Sequence, residues 1–487
     1  MRRALWITVI ACLGIGPATT FAYLSLPLPP ADAVPEYEVI ASSGDPAPEG
    51  WNDPHFGRLR SAVVDPDTGE VAFIGAVQGS NFSSGIWVQS GDQLRLELLS
   101  AEFTYVLGPG DEIYHFHEFE RLVAFTGYSI LHVALVGPQG GDSTRGFFKD
   151  QSGLFQGQAI GLSDKGSEKQ WIVDDLRGVS RLRGDFVALR LSGPDISDPS
   201  ETRIYDFDPY NGFLDTFEPI ASTAAGFANP SDQDGTLSPT PVPLGDFSPG
   251  AAFLATVTPN GGTPEPGIFQ PFGTPYRIWD GRAPAGTPQE TSITITGEIA
   301  SNRDHAWTAN TAIHEPGRAE YQSLVSIGYF GSWQETFSDV RQLLSVGDAA
   351  PWAGQNAIVA SIGPPAIGSI AEIVPRSPLG KGGLIQAVSV RVNGPGIDDS
   401  NDETLLFFDR VRRPFVLARE GTPIHLSDGT SGLVTHIEMT PASIDIDDAV
   451  TFILELDGTR DVVVRTRLVD PPPVPAPSTP PVAGAGQ

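Results

Sequence analysis

One apolar triplet keeps returning along this chain, as Val71-Ala72-Phe73, Val123-Ala124-Phe125, Val187-Ala188-Leu189, Ala251-Ala252-Phe253, His305-Ala306-Trp307, Leu384-Ile385-Gln386 and Val450-Thr451-Phe452. A fixed spacing of about sixty residues marks solenoids and propellers, in which each unit has an apolar face that only its neighbour can cover. A second marker couples an apolar strand end to a polar turn. It occurs as Ile40-Ala41-Ser42-Ser43-Gly44-Asp45-Pro46, Ile160-Gly161-Leu162-Ser163-Asp164, Leu344-Ser345-Val346-Gly347-Asp348 and Leu417-Ala418-Arg419-Glu420-Gly421-Thr422-Pro423, in constant order relative to the triplet.

With 54 Gly and 44 Pro among 487 residues, long helices would be interrupted constantly, whereas short strands joined by turns tolerate that punctuation. Period-two stretches at 70–77, 94–98 and 450–456 support an all-β chain; the apolar spacing near 172–182 and 337–344 is also compatible with short helices. The first unit reads as four strands, 55–64, 70–77, 85–88 and 94–99, enough for one propeller blade. Dividing 36–469 among seven units gives more than the about 40–50 residues of familiar blades, so loops such as 223–243, 258–266, 283–291 and 393–403 must be long. The last unit offers only three clear strands, 433–439, 449–456 and 461–468, and the strand 37–40 is free to complete it and remove an exposed edge.

The expectation is therefore an all-β propeller of about seven four-stranded blades, closed by an N-terminal strand. Val71, Phe73, Val123, Phe125, Val187, Phe253 and Phe452 are expected between blades. An open solenoid and a pair of β-sandwiches are the rival arrangements.

Met1-Arg2-Arg3 followed by an apolar run through Ile15 has the form of a signal peptide, which divides the chain into 1–33, a repeat domain at 34–469 and a disordered Pro/Ala-rich tail at 470–487. The protein is expected to be exported, secreted or periplasmic. Cys12, the one cysteine, lies in a stretch resembling a lipobox, which makes a lipid anchor the minor alternative. Without it no disulfide or thiolate-bound metal is available. A formal net charge of −29 disfavours nucleic acid and anionic lipid as partners. No later stretch approaches the about 18 apolar residues of a membrane span, and a monomer is expected.

Gly69-Glu70-Val71-Ala72-Phe73, followed by Gly85-Ile86-Trp87 and preceded by Gly44-Asp45-Pro46-Ala47-Pro48, resembles the NxxGxxAF tandem-repeat proteins, which are secreted bacterial "choice-of-anchor" proteins. The resemblance implies an exported repeat protein with variable terminal anchoring and no assigned enzymatic activity. The first unit carries it. Pro66 stands at the family's Asn position, Arg121 replaces the Gly in the second unit, and no C-terminal anchor is apparent; the family supplies no catalytic residues to carry over.

Candidate chemistry is sparse. His115 and His117 alternate along a strand and would share a face, with His132 nearby as a further metal ligand; the plainer alternative is two histidines lining a channel. Oxygen-rich loops offer calcium ligands at Asp65, Asp67, Asp232, Asp234, Asp398, Asp399 and Asp402, although none forms a full D-x-D-x-D-G loop and each also reads as a polar turn. No serine-nucleophile elbow, His-Glu-x-x-His pair, phosphate-binding loop or dinucleotide fingerprint occurs. Trp51, Trp333 and Trp352 are expected to be buried rather than stacked on sugars. The expected function is non-catalytic recognition of a protein or glycan on a propeller scaffold. The alternative is a hydrolase or lyase with residues such as His115, His117 and His436 at a central channel.

Overall fold

The computed structural model describes residues 29–48, 54–66, 68–78, 84–100, 287–288, 290–301, 306–332, 335–368, 385–410, 412–445 and 447–471, and, between 105 and 279, Ser143 and the strands named below. The apolar run at 1–28 with Cys12, the residues Trp51, Asp67, Asp232, Asp234 and Trp333, and the tail from 472 onward lie outside the described residues.

Every regular element among the described residues is a β-strand, and every pairing is antiparallel. The strands form sheets taken in chain order. The first contains His55–Val64, Val71–Gln78, Ser84–Ser90 and Gln93–Leu99; the second contains Tyr105–Leu107, Ile113–Thr126, Ser129–Gly137, Thr144–Gln151 and Gly157–Leu162. The third holds Ile172–Val179, Phe186–Ser192, Thr202–Asp206, Ala221–Ser222 and Gly226–Phe227. In the fourth, Gly235–Leu237 and Val242–Phe247 both pair with Gly250–Pro259, which continues to Glu265–Gln270 and Tyr276–Trp279. The fifth is Ser292–Ser301, Ala306–His314, Tyr321–Ser332 and Glu335–Ser345, and the sixth Ile358–Ile367, Gln386–Asn393, Glu403–Phe408 and Pro414–Arg419. The seventh is Pro423–His425, Ser431–Glu438, Val450–Leu456 and Arg460–Val469, with Val34–Ser42 added at its edge. The segments for which short helices were admissible are both strands, Ile172–Val179 and Glu335–Ser345. There, ladder partners outweigh local propensity.

The apolar triplet owes its composition to burial on both faces of a sheet. In the first sheet Val71 and Phe73 join a cluster with Ile453 and Val463 of the seventh sheet, while Ala72 and Ile74 join Phe116, Phe119 and Phe148 of the second. In the seventh, Val450, Phe452 and Leu454 pack with Leu405 and Phe407 of the sixth, and Ile453 turns to the first. Successive side chains point to opposite faces, so three consecutive apolar residues serve two different neighbours. Gln386 keeps the orientation but not the chemistry: its Nε2 donates to Ser326 Oγ of the fifth sheet at 3.1 Å.

With the short strands Tyr105–Leu107, Gly235–Leu237 and Pro423–His425 left out of the numbering, the described residues of six triplets fall on or just before the second strand of their sheet, but Val123-Ala124-Phe125 ends the first strand of the second sheet, Ile113–Thr126. The second strand there is Ser129–Gly137. Of the expected core residues, Val71, Phe73, Phe125 and Phe452 are buried and Val123 is only partly so; the side chains of Val187 and Phe253 lie outside the described residues.

The motif around Trp87 forms one local structure. The indole Nε1 donates to the carbonyl of Pro48 at 3.2 Å, and Phe56 stands edge-on to the ring with centroids 4.9 Å apart. Gly85 lies under the indole, where a Cβ would be 2.6 Å from its Cη2.

The sheets meet through side chains and backbone. Ser61, at a φ of 57°, donates its N–H to Glu438 Oε1 of the seventh sheet, and its hydroxyl accepts the Leu122 N–H of the second at 2.7 Å. At the far edge of the seventh sheet, Val34–Ser42 runs antiparallel to Arg460–Val469, placing Tyr37 opposite Thr466.

Candidate functional site

The second sequence marker is the crossover from one sheet into the next, built identically at three junctions. The N–H of Gly44, Gly347 and Gly421 donates across to Phe56, Val359 and Val434 at 2.7, 2.8 and 2.9 Å. Those three residues return their own N–H to the carbonyls of Asp45, Asp348 and Thr422. Each glycine sits at positive φ, 92°, 91° and 72°, which explains the residue type. Asp45 and Asp348 also accept the N–H of Ser42 and Ser345, at 3.0 and 2.7 Å.

Just before each glycine, a backbone N–H donates to one of the first residues of a neighbouring strand of the sheet being left: Ser43 to Asp461, Val346 to Gln322 and Glu420 to Glu403. Two residues beyond the returning N–H come Arg58, Ser361 and His436, each beside a break in strand register. Such bulges re-aim a side chain. The backbone thus sets three residues at corresponding positions at each of these three crossovers, with different chemistry in each: Asp461, Ser43 and Arg58; Gln322, Val346 and Ser361; Glu403, Glu420 and His436. At the first, Asp461 accepts the Leu59 N–H at 3.0 Å, and its carboxyl is raised by burial against the opposing Arg58 charge. At the second, Gln322 lines a neutral cavity of about 120 Å³ with Thr296, Asn310, Ser323 and Ile362.

The third junction concentrates charge. Glu403, Glu420 and His436 place ligand-type atoms within 4.8 Å of one another, the one group of three or more metal-ligating side chains among the described residues. Glu403 and Glu420 are buried, and the His436 side chain is 51% exposed. Ser389 Oγ donates to Glu403 Oε1 at 2.7 Å, and the Glu403 N–H donates to Glu420 Oε2 at 3.2 Å. The remaining Glu403 oxygen, Oε2, lies 3.3 Å from His436 Nδ1 and receives no hydrogen bond. Burial alone would raise the Glu403 carboxyl, but His436, Ser389 and the Arg391 charge reverse this and hold it low. Glu403 in turn raises His436 against the effect of burial, while burial and then the neighbouring carboxylates raise Glu420.

The residues singled out from sequence are dispersed. His115 and His117 belong to Ile113–Thr126, where a register break between Phe116 and Glu118 interrupts the alternation. His117 Nδ1 meets Ser143 Oγ, and burial followed by His115 lowers its proton affinity. His132 is instead buried among Phe116, Phe119 and Phe148, stacked on the last with centroids 5.4 Å apart. Asp65 is buried in the first turn and accepts the Thr68 N–H. Asp398 caps its own turn by accepting from the Ser400 N–H and hydroxyl, Asp399 is exposed, and Asp402 pairs with both Arg391 contacts at 3.0 and 3.2 Å. Trp352 is partly buried against the fifth- and sixth-sheet core. Of the three, sequence points to His436 alone; Glu403 closes the acidic stretch that begins at Asp398, and Glu420 lies inside the crossover marker.

No family model matches the chain, and no curated protein matches it either. Solved structures similar to it include a prolyl endopeptidase from a structural and mechanistic study of two such enzymes, at 9% identity and a TM-score of 0.39. It covers 85% of this chain, which spans 50% of the enzyme's length. Another is the WD40 domain of SCAP from fission yeast, at 7% identity and a TM-score of 0.31, covering 88% of this chain and 98% of that domain. No helix among the described residues is long and apolar enough to cross a membrane.

Proposed function

We propose that this chain is an exported, non-catalytic binding protein of the NxxGxxAF repeat type, built on a propeller of seven four-stranded blades. Support for the ring comes from the order of neighbours: consecutive sheets touch in chain order, and the seventh meets the first where Val450–Leu456 approaches His55–Val64. In this scheme the strand Val34–Ser42 closes the ring by covering the edge of Arg460–Val469, as an otherwise open edge requires.

The observation that carries the binding function is the crossover position, where an invariant hydrogen-bonded backbone presents an Asp/Arg, a neutral and a Glu/Glu/His set at successive places. A constant frame with varied polar side chains is how a scaffold encodes recognition. Protein and glycan arrays probed with the mature domain, beside a generic hydrolase panel, test this. Saturable capture without turnover is the expected result; turnover lost on His436→Asn would overturn it in favour of an enzyme. Mass spectrometry of the mature N-terminus tests export, and an intact Met1 on the protein in the cytoplasm would refute it.

A further inference from the structure

We propose that Glu403, Glu420 and His436 form a binding site for one divalent transition-metal cation of the zinc class. At the crossover between the seventh and first sheets the same position already holds a cation, the Arg58 side chain, acting on the Asp461 carboxylate. Between the sixth and seventh sheets that side chain is replaced by His436 and a second carboxylate is added at Glu420, so negative charge increases and a permanently charged guanidinium gives way to an imidazole that can also act as a metal ligand. The nearby guanidinium, Arg391, is committed to both oxygens of Asp402.

A second observation points into the centre of the cluster. The Glu403 side chain is 9% exposed, Ser389 orients it through Oε1, and its Oε2 faces His436 Nδ1 in an ion-pair contact that falls outside hydrogen-bond geometry. A buried carboxylate is costly unless a cation meets it, and a metal ion held between the two groups would do so with the imidazole neutral. Its 3.3 Å separation from the imidazole nitrogen is also the spacing of two ligands on one tetrahedral ion, since bonds of about 2.0–2.1 Å at the tetrahedral angle put ligand atoms about 3.3 Å apart. Imidazole with carboxylates suits zinc and its neighbours better than calcium, which prefers six to eight oxygens. The exposed side of His436 leaves room for water or an external ligand to complete the coordination.

The test is calorimetric titration of the chelator-treated full chain with zinc chloride, with calcium chloride in parallel and cobalt(II) as an optical probe. One zinc per chain is expected, with a visible cobalt band and a higher melting temperature in the presence of metal. His436→Asn and Glu403→Gln should each weaken zinc binding by at least about tenfold and abolish the cobalt band, whereas Asp398→Asn at the exposed turn should leave both unchanged. Because His436 is half exposed, its variant tests the site even where Glu403→Gln fails to fold. Absence of stoichiometric zinc binding, or binding and a cobalt band that survive His436→Asn in a folded chain, overturns the proposal.

Discussion

The phenol of Tyr37 donates a hydrogen bond to the backbone carbonyl of Leu417, 380 positions later in the chain. Tyr37 lies on the strand at the edge of the seventh sheet, yet its ring is buried in the core shared with Phe415, Leu417 and Val462. The same strand accepts the Ser427 N–H at the Tyr37 carbonyl and donates from Val39 to the Ser427 hydroxyl. Burial raises the proton affinity of the phenol, keeping it a neutral donor. Tyr37→Phe should cost about 1 kcal/mol by leaving the Leu417 carbonyl without this donor, and Tyr37→Ala about 3–5 kcal/mol as a cavity opens. Urea denaturation reads both; equal effects from the two variants would show that the ring, not the hydroxyl, does nothing for stability.

Gly85 offers a test of packing in the first sheet. A Cβ there would stand 2.6 Å from Trp87 Cη2 and 3.0 Å from the Leu98 carbonyl, and the indole is held from the other side by Phe56 and Pro48. Overpacking of this kind costs about 1–3 kcal/mol. Gly85→Ala is expected to lower stability by that amount, with a smaller loss in a Trp87→Leu background. A double-mutant cycle showing no coupling would remove the indole from the explanation.

Asp445 is wholly buried and accepts the N–H groups of Asp447 and Ala449 at 2.8 and 2.9 Å, together with the Arg465 guanidinium. Arg465 also crosses the turn of the first sheet at Gly69, which has a φ of 73° and where a Cβ would approach Nη2 to 2.8 Å. Removing one member of a buried ion pair leaves an uncompensated charge and costs about 3–5 kcal/mol. Arg465→Met should therefore destabilise by that amount, and adding Asp445→Asn should restore part of the loss. Additive losses in equilibrium unfolding would contradict the pairing.

Asp448 gives a pH dependence of definite sign. Burial, helped by Asp445 and Asp447 and opposed by Arg410, pushes its carboxyl up to about 6. The folded state then holds a proton that the unfolded state releases at lower pH, so this group favours folding in acid. Its contribution is complete below the ordinary carboxylate range and is lost as pH rises to about 6. The shift corresponds to no more than about 3 kcal/mol, less after solvent screening of a partly exposed group. Asp448→Asn, which tolerates the φ of 64° at this position, should flatten that part of the stability profile in melts between pH 4 and 7. An unchanged slope would show that Asp448 titrates normally.

The zinc-class cluster illustrates how little of a site can be read along a chain. Glu403 ends an acidic run, Glu420 sits inside a turn marker, and His436 is one of 8 histidines; nothing in their spacing relates them. His115 and His117 had the more suggestive spacing. A bulge at His117 interrupts the alternation, and His132 is buried among phenylalanines.

Strand identity and the recurrence of units were determined by sequence, because period-two alternation, Gly/Pro punctuation and the repeated triplet are local and survive reading in one dimension. The four strands of the first sheet and the pairing of Val34–Ser42 with Arg460–Val469 follow from those patterns. Tertiary structure alone decided which neighbour each triplet residue faces, that Val123-Ala124-Phe125 belongs to a first strand, and which polar residues converge at a crossover. The physical reason is that these depend on register. A bulge of one residue reverses the face of every side chain after it, and contacts between sheets join residues whose separation in sequence carries no periodic signal.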